Sequence, residues 1–304
     1  MPSSVAVVIP SIGRPELRRA VRSALAQTLS PDRVIVSWDL SEDDPRIAQH
    51  AGWLNEAGVT QVCTGGGRGA SAARTRGVAA AGTDLIALLD DDDAWAPRKL
   101  AVQVALHDRL ARTIPFPVVT SLVTVHDPSG NLVRRHPPTS DPEPGQLGRA
   151  LFRRRWSRRA STLVVTTPSL LIPSGLLAAE PFDEGLRLHE DWEWLLRIDR
   201  RDDTRLAVAQ DHLTQVFVGH PGPRASQVSD GWRTSVQWAD SVALPRGVLG
   251  DFLLCDVLPR AMQHAPARDW RALIWRALRQ GSPSPGALRE TAGRLARTAV
   301  GITA

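Results

Sequence analysis

The chain has 304 residues, of which 42% are hydrophobic and 23% charged, and a formal net charge of +5. This suits one large or two modest globular domains with a substantial core, and it excludes extended disorder, a collagen-like fibre and a small disulfide scaffold. No stretch reaches the about 20 uncharged apolar residues of a membrane-spanning helix. The segment from Met1 to Pro10 has no basic run ahead of its short apolar stretch, so it reads as a strand and not as a signal peptide. Cys63 and Cys255 are too few for a disulfide framework, which points to free thiols and a cytoplasmic setting. Lys99 is the single lysine, so the basic charge is almost all arginine. That bias fits a polyanion partner or a plain compositional preference. The nearly balanced acidic residues favour the second reading.

Strands and helices alternate in the first third. Val5 to Ile9 is a continuous apolar run ended by Pro10, the pattern of a strand buried on both faces. Pro15 opens a helix with Leu17, Val21, Ala24, Leu25 and Leu29 at helical spacing. Val34 to Trp38, Val59 to Cys63 and Leu85 to Leu89 read as strands, separated by helices near 45–57 and 70–81. A further helix starts at Pro97. Such β-α units predict a parallel sheet with helices on both faces. Val118 to Val125 is a strand, and 126–148 reads as a long loop rich in Pro, Ser, Asp and Gly. Leu163 to Val165, Ser169 to Ile172 and Leu213 to Val218 are strand candidates, and Asp191 to Asp199 is helical. From Ser229 onward the chain is helical, with breaks near Pro245, Pro259 and 281–286.

Asp90 to Asp93 follow the fourth strand directly. Ligand crevices of open α/β sheets lie at the carboxyl ends of strands. Carboxylates packed there repel one another unless a cation compensates. Mg²⁺ and Mn²⁺ take carboxylate oxygen and leave positions for phosphate. The run therefore predicts a metal-bound diphosphate, against the plainer reading of a solvated turn capping the next helix.

Four segments carry a resemblance. They are Val7-Val-Ile-Pro-Ser-Ile-Gly-Arg-Pro-Glu-Leu17 with Ala24-Leu-Ala-Gln-Thr28, Gly69-Ala-Ser-Ala-Ala-Arg-Thr-Arg-Gly77, Leu85 to Leu100, and Phe182-Asp-Glu-Gly-Leu with His189-Glu-Asp-Trp-Glu-Trp-Leu-Leu-Arg197. In that order they resemble family 2 glycosyltransferases of the GT-A fold, over roughly residues 4–225. The resemblance implies an α/β fold: a Rossmann-like, mostly parallel nucleotide-binding sheet flanked by helices, an acceptor-side subdomain and a helical C-terminal region. The corresponding pieces are 1–115 for the nucleotide sugar, 116–225 for acceptor and catalysis, and 226–304 for the C-terminal helices.

Site roles follow from the same resemblance. Pro10 and Ser11 would line the nucleotide base, with Arg14 and Glu16 nearby. Asp39 would meet the base or ribose, although Trp38 stands where the family usually has a second aspartate. Arg74 would approach the donor phosphates. Asp90 and Asp92 would form the DxD pair, with Asp92 on Mn²⁺ or Mg²⁺ and Asp90 on ribose or a metal-bound water; Asp91 and Asp93 leave that register open by one position. Asp191 would be the base that deprotonates the acceptor, with Glu190 orienting it or capping the helix. His220, after Gln215 to Gly219 and before Ser226 and Ser229, loosely resembles an Arg-x-His segment and would bind metal or diphosphate. The implied reaction is a metal-dependent, inverting transfer of a sugar from a nucleoside diphosphate sugar to a hydroxyl or amine of a small or glycan acceptor.

Rival readings use the same residues. Gly65-Gly-Gly-Arg-Gly-Ala70 fits a dinucleotide fingerprint, but it lies in the third β-α unit without a suitable acidic residue beyond. Its glycines suit a loop leading to a helix N-terminus near phosphate, or a simple turn. No Walker loop is present. A nucleotidyltransferase would release pyrophosphate, yet the first loop offers only Gly13 and Arg14. A non-enzymatic arginine-rich protein would retain nucleic acid in a salt-sensitive way. Arg153 to Arg159 reads as a solvated loop first, and as a clamp for an anionic acceptor or membrane surface second. His189-Glu190-Asp191 is not a chelating set, and Trp192 and Trp194 are packing residues or an acceptor wall. Trp270, Leu273, Ile274, Ala277 and Leu278 form one helical face, which would pack on its own domain or a twin subunit in a homodimer. Arg271, Trp275 and Arg279 form another stripe, whose alternative is membrane contact.

Overall fold

The structure is a computed structural model describing residues 2–154, 162–219 and 230–299. The chain forms two compact units, Met1–Pro144 with Val164–Pro221, and Gly145–Leu163 with Gly222–Ala304.

The first unit opens with β1 (Val5–Ser11), α1 (Leu17–Leu25), β2 (Arg33–Trp38), α2 (Pro45–Glu56), β3 (Thr60–Cys63), α3 (Ala70–Ala79) and β4 (Leu85–Leu88). These strands lie in the order β3-β2-β1-β4, all parallel. Every residue of β1 is buried, as its unbroken apolar run predicts. Pro10 does not end that strand, which continues to Ser11 in register with Trp38. Helix α1 is shorter than its periodicity suggests. Gln27 bonds to Ser23 and Ala96, and the Thr28 N–H bonds to Pro97, which turns the chain out of the helix. Leu29 still packs against the core, outside the helix. Helix α3 lies close on β1 because Gly77 faces it; a Cβ there would run into the Val8 side chain. The same inward face of α3 carries Arg74.

The unit continues through β5 (Ala94–Trp95), α4 (Lys99–Leu110), β6 (Phe116–His126) and β7 (Leu132–Arg135). The chain leaves for α5 (Leu147–Phe152) and returns with β8 (Leu171–Pro173), α6 (Ser174–Ala179), α7 (Glu190–Ile198) and β9 (Thr204–Phe217). These strands extend the sheet as β4-β8-β6-β9-β5, with β7 on β6. Here β6 and β9 are parallel and the other pairings antiparallel. One sheet of nine strands thus crosses the expected boundary at 115, and the nucleotide-side and acceptor-side pieces form a single unit. Residues 145–163 belong with the C-terminal helices instead.

Three segments differ from expectation. The loop at 126–148 contains β7, which closes a hairpin on β6 through a turn where the Asp127 side chain accepts from the Asn131 backbone and side-chain amides. Leu163 and Val165 are buried but form no strand. Strand β9 begins at Thr204, where side chains alternate too little to mark a period, and not at Leu213. Lys99 is fully buried, with its amine 2.6 Å from Gln103 Oε1 and 4.1 Å from the Trp95 ring centre. Burial holds its pKa well below the ordinary lysine value.

The second unit holds α5, α8 (Gly231–Ser241), α9 (Arg246–Phe252), α10 (Leu258–His264), α11 (Ala267–Arg276) and α12 (Pro285–Ala299). Phe152, Trp238 and Phe252 stack edge-on or tilted at its centre. Pro259 does not break the helical run; it lies at the start of α10, directly after the π-helical turn Leu253–Val257. The break falls at Ala265 and Pro266. Arg153 and Arg154, expected on a solvated or ligand-clamping loop, are structural. Arg153 donates to the Gly247 and Ser282 carbonyls, and Arg154 forks onto both oxygens of Asp256 at 3.0 Å. The rest of that cluster, 155–159, lies outside the described residues. Among the described residues no helix is long and apolar enough to cross a membrane.

Candidate active site

The chain after β4 delivers four carboxylates, and the fold sorts them into two kinds. Asp91 and Asp93 are each 4% exposed and turned inward. Asp91 accepts from the Ser11 hydroxyl at 2.7 Å and the Ile12 N–H at 3.3 Å. Asp93 accepts from the Phe217 N–H at 2.9 Å, which ties the end of β9 to this turn. Asp90 and Asp92 keep partial exposure. Asp91 was expected among the nucleotide-sugar contacts; its buried bonds assign it to holding the turn instead. The accessible pair therefore has D-x-D spacing at 90 and 92.

Positive groups hem in the run. Arg14 Nη1 lies 3.1 Å from Asp91 and 2.9 Å from Asp92. Arg19 donates to the Asp92 carbonyl and stacks 3.6 Å from the Phe217 ring centre. Burial, and then mutual repulsion, raises Asp90 and Asp93, and burial raises Asp91 to about 6. Arg74, Arg14 and Arg19 oppose these rises. Among the described residues no three side chains converge as a metal cage. The donor set still fits Mg²⁺ or Mn²⁺, which bind through one or two carboxylates with phosphate oxygens and water completing the shell.

Arg74 joins this run to the first turn of α7. Its guanidinium is 3.0 Å from Asp90 and 3.0 Å from Glu190, with 4% of the side chain exposed. The Arg74 Nε has no partner among the described residues. Arg74 therefore stands beside the carboxylate run, with its charge shared between two acids. His189, immediately ahead of α7, adopts a left-handed backbone and stacks on Trp192 at 4.7 Å. Glu190, Asp191 and Glu193 lie in the first turn, where the helix dipole favours negative charge. Trp194 is fully buried and donates to the Glu180 carbonyl, so it packs. Among the described residues Asp191 makes no ion pair. It accepts from the Thr167 hydroxyl at 3.4 Å and the Trp192 N–H at 2.8 Å. Burial first, and Glu190 second, push its pKa up to about 7, while Arg74 opposes them.

The glycine-rich loop borders the same region. Gly65, Gly66, Gly67 and Gly69 all adopt positive φ, so the run is a built turn ahead of α3. Asp39, just past β2, organises it by accepting from the Thr64 hydroxyl and from the N–H groups of Arg68 and Gly69, all at 2.7–2.8 Å. Those donors take three of about four lone-pair positions on that carboxylate. The Asp39 N–H bonds to the Ser11 carbonyl, which places Asp39 beside Pro10 and Ser11 at the end of β1. Glu16 stands at the N-cap of α1. Arg68 pairs with Glu184, and Arg187 bonds to the Gly67 carbonyl, so the loop is tied to the chain preceding α7. His220, Ser226 and Ser229 lie outside the described residues. His212 bonds to the His136 carbonyl at 2.7 Å.

A model of glycosyl transferase family 2 matches residues 6–160. The chain belongs to that family. WcaA of Escherichia coli K12, whose name assigns it to colanic acid biosynthesis as a glycosyl transferase, is 30% identical over 107 residues. That match covers 35% of this chain and 38% of WcaA, so the chain spans well under half of this relative. Among solved structures, Staphylococcus aureus TarS 1-349 in complex with UDP is 15% identical, with a TM-score of 0.54 over 92% of this chain and 90% of that one. The complex of TarS with UDP-GlcNAc gives a TM-score of 0.56 at 15% identity, over 90% and 79% of the two chains. At this identity the likeness establishes the GT-A fold.

Sequence reasoning missed several residues of this family 2 site. Thr167, in a 3-10 turn before β8, had no motif around it. Trp95 fixes that turn by donating to the Pro168 carbonyl at 2.8 Å, and Gln103 does so by donating to the Ser169 carbonyl at 2.8 Å. Arg19 sits within α1, where no motif singles it out.

Proposed function

We infer that this family 2 chain is a glycosyltransferase that moves a sugar from a nucleoside diphosphate donor to a hydroxyl or amine acceptor with inversion. The observation that carries the reading is Arg74 held between Asp90 and Glu190. It brings the donor-side carboxylates and the acceptor-side helix turn into one centre, with Asp191 alongside. The TarS complexes with UDP and UDP-GlcNAc make uridine diphosphate sugars the first donors to test.

Each residue has a distinct task. Asp191 takes the acceptor proton as the acceptor oxygen attacks the anomeric carbon, from the face opposite the departing diphosphate. Its raised pKa suits a base working near neutral pH, and positioned bases contribute about 10²- to 10⁴-fold. Glu190 is engaged by Arg74 and orients rather than abstracts. Pro10, Ser11 and Asp39 border the base and ribose, and Arg14 stands between them and the carboxylate run. Asp92, with Asp90 beside it, would hold Mn²⁺ or Mg²⁺, which neutralises charge growing on the leaving diphosphate. Arg74 lends the same region a fixed positive charge.

The test is nucleotide release. A panel of nucleotide sugars is screened by thermal shift with Mn²⁺, and the binders are assayed for nucleoside diphosphate release with sugar and glycan acceptors. Release of diphosphate and an inverted anomeric product support the reading. Release of pyrophosphate would move the chain to nucleotidyl transfer.

A further inference from the structure

The second unit carries an exposed stripe on α11 and the π-helical turn that extends it, Ala277–Gly281. Leu273 and Ala277 are buried and fix that helix to its unit. Leu278, expected on the same packed face, points outward instead. Trp275 is 58% exposed and Leu278 is 53% exposed. Arg271 and Arg279 flank them, both exposed. Arg279 lies 5.3 Å from the Trp275 ring centre, which holds cation and indole together along the stripe. The positions are i, i+4, i+7 and i+8, and none is acidic. Asp269, on the same helix, is turned to Arg233 at 3.0 Å.

We propose that this stripe is a peripheral attachment surface for an anionic lipid bilayer. Two large apolar groups in water, bracketed by guanidinium groups, match the boundary between acyl chains and acidic headgroups. Indole sits well at that depth because one edge is apolar and the other can donate a hydrogen bond. Arginine stems can bury their methylenes while the charge stays at the headgroups. The charge of the whole unit agrees: its described residues hold 13 arginines against 6 acidic residues. A second copy is a poorer occupant. A two-fold interface sets a stripe against itself, and here arginines would face arginines with no carboxylate between them.

The experiment is vesicle flotation of the full chain. One set of vesicles is phosphatidylcholine alone, and the other is phosphatidylcholine mixed with phosphatidylglycerol. The chain should float with the anionic vesicles and be released by high salt. Arg271→Gln and Arg279→Gln should each weaken binding about fivefold. Trp275→Ser with Leu278→Ser should weaken it roughly tenfold or more. All four positions are on the surface, so circular dichroism of the variants should match the parent. Absence of flotation, equal binding to neutral vesicles, or binding indifferent to these substitutions overturns the proposal. So does a dimer in sedimentation velocity that Trp275→Ser with Leu278→Ser dissolves, or salt-sensitive RNA retention through the same arginines without vesicle binding.

Discussion

Arg74 donates to Glu190 across 3.0 Å, and this one ion pair fastens a helix of the nucleotide-side half to the first turn of α7. The two residues are 116 positions apart in the chain. The same guanidinium reaches Asp90, so the pair is part of a triad of one cation and two acids. Removing the cation leaves two carboxylates facing each other.

Arg74→Met keeps the stem and removes the charge. It should destabilise the protein by about 3 kcal/mol, because breaking one side of a desolvated pair leaves an uncompensated charge. Glu190→Gln, which leaves Asp90 as a counter-ion, should cost less. Denaturant unfolding of both single variants and the double variant should give a coupling energy of about 1–3 kcal/mol. Strict additivity would mean that Arg74 holds the fold through Asp90 alone.

Asp191→Asn should lower turnover about 10²- to 10⁴-fold and leave donor affinity nearly unchanged, since the base acts on the acceptor. Parent activity should rise with pH and level off above about 7, as Asp191 ionises. The stability effect has the opposite sign. A carboxyl raised on folding favours the native state when protonated, and that contribution is lost as pH rises from the ordinary carboxylate range through about 7. The asparagine variant should therefore match the parent near pH 4 and melt higher than it above about pH 7. Parallel melting curves across that range would remove the raised carboxyl from the account.

The sequence made the scaffold legible where one residue pattern has one physical outcome. The apolar runs at 5–9, 34–38 and 85–89 are buried strands because both faces are covered, and Pro45 opens α2 behind Asp44, whose side chain caps it. The carboxylate run was visible because acids gathered at a strand end need a cause, whereas the Glu190-Asp191 pair was legible only through the family resemblance. Orientation was not visible. Nothing in four identical residues says that Asp91 and Asp93 turn inward; that depends on Ser11 and the Phe217 N–H, which come from distant strands. Nor could periodicity place Leu278 outward, because the π-helical turn after Arg276 shifts the face that α11 presents.

Asp92→Asn tests the cation. Arg14 also contacts Asp91, so the turn keeps a tie when Asp92 is neutralised, and stability should change by less than about 1 kcal/mol. The thermal shift produced by donor in the presence of Mn²⁺ should disappear, and chelation of the parent should abolish turnover. Full activity in excess chelator would place the charge stabilisation on Arg14 and Arg74 instead.

Thr167 is the finest test of how Asp191 is set. Its hydroxyl reaches Asp191 Oδ2 from the turn that Trp95 and Gln103 pin beneath it. A donor to an ionised carboxylate lowers its pKa, so the hydroxyl partly offsets the rise caused by burial. At 3.4 Å the bond is longer than a strong charge-assisted one, and the offset is correspondingly small. Thr167→Val removes the donor and keeps the shape. The acidic limb of kcat/KM should then move upward by about half a pH unit, with the plateau above it little changed. Thr167→Ser restores a hydroxyl and should restore the profile. A valine variant whose pH profile overlays the parent would show that Thr167 only fills space beside α7.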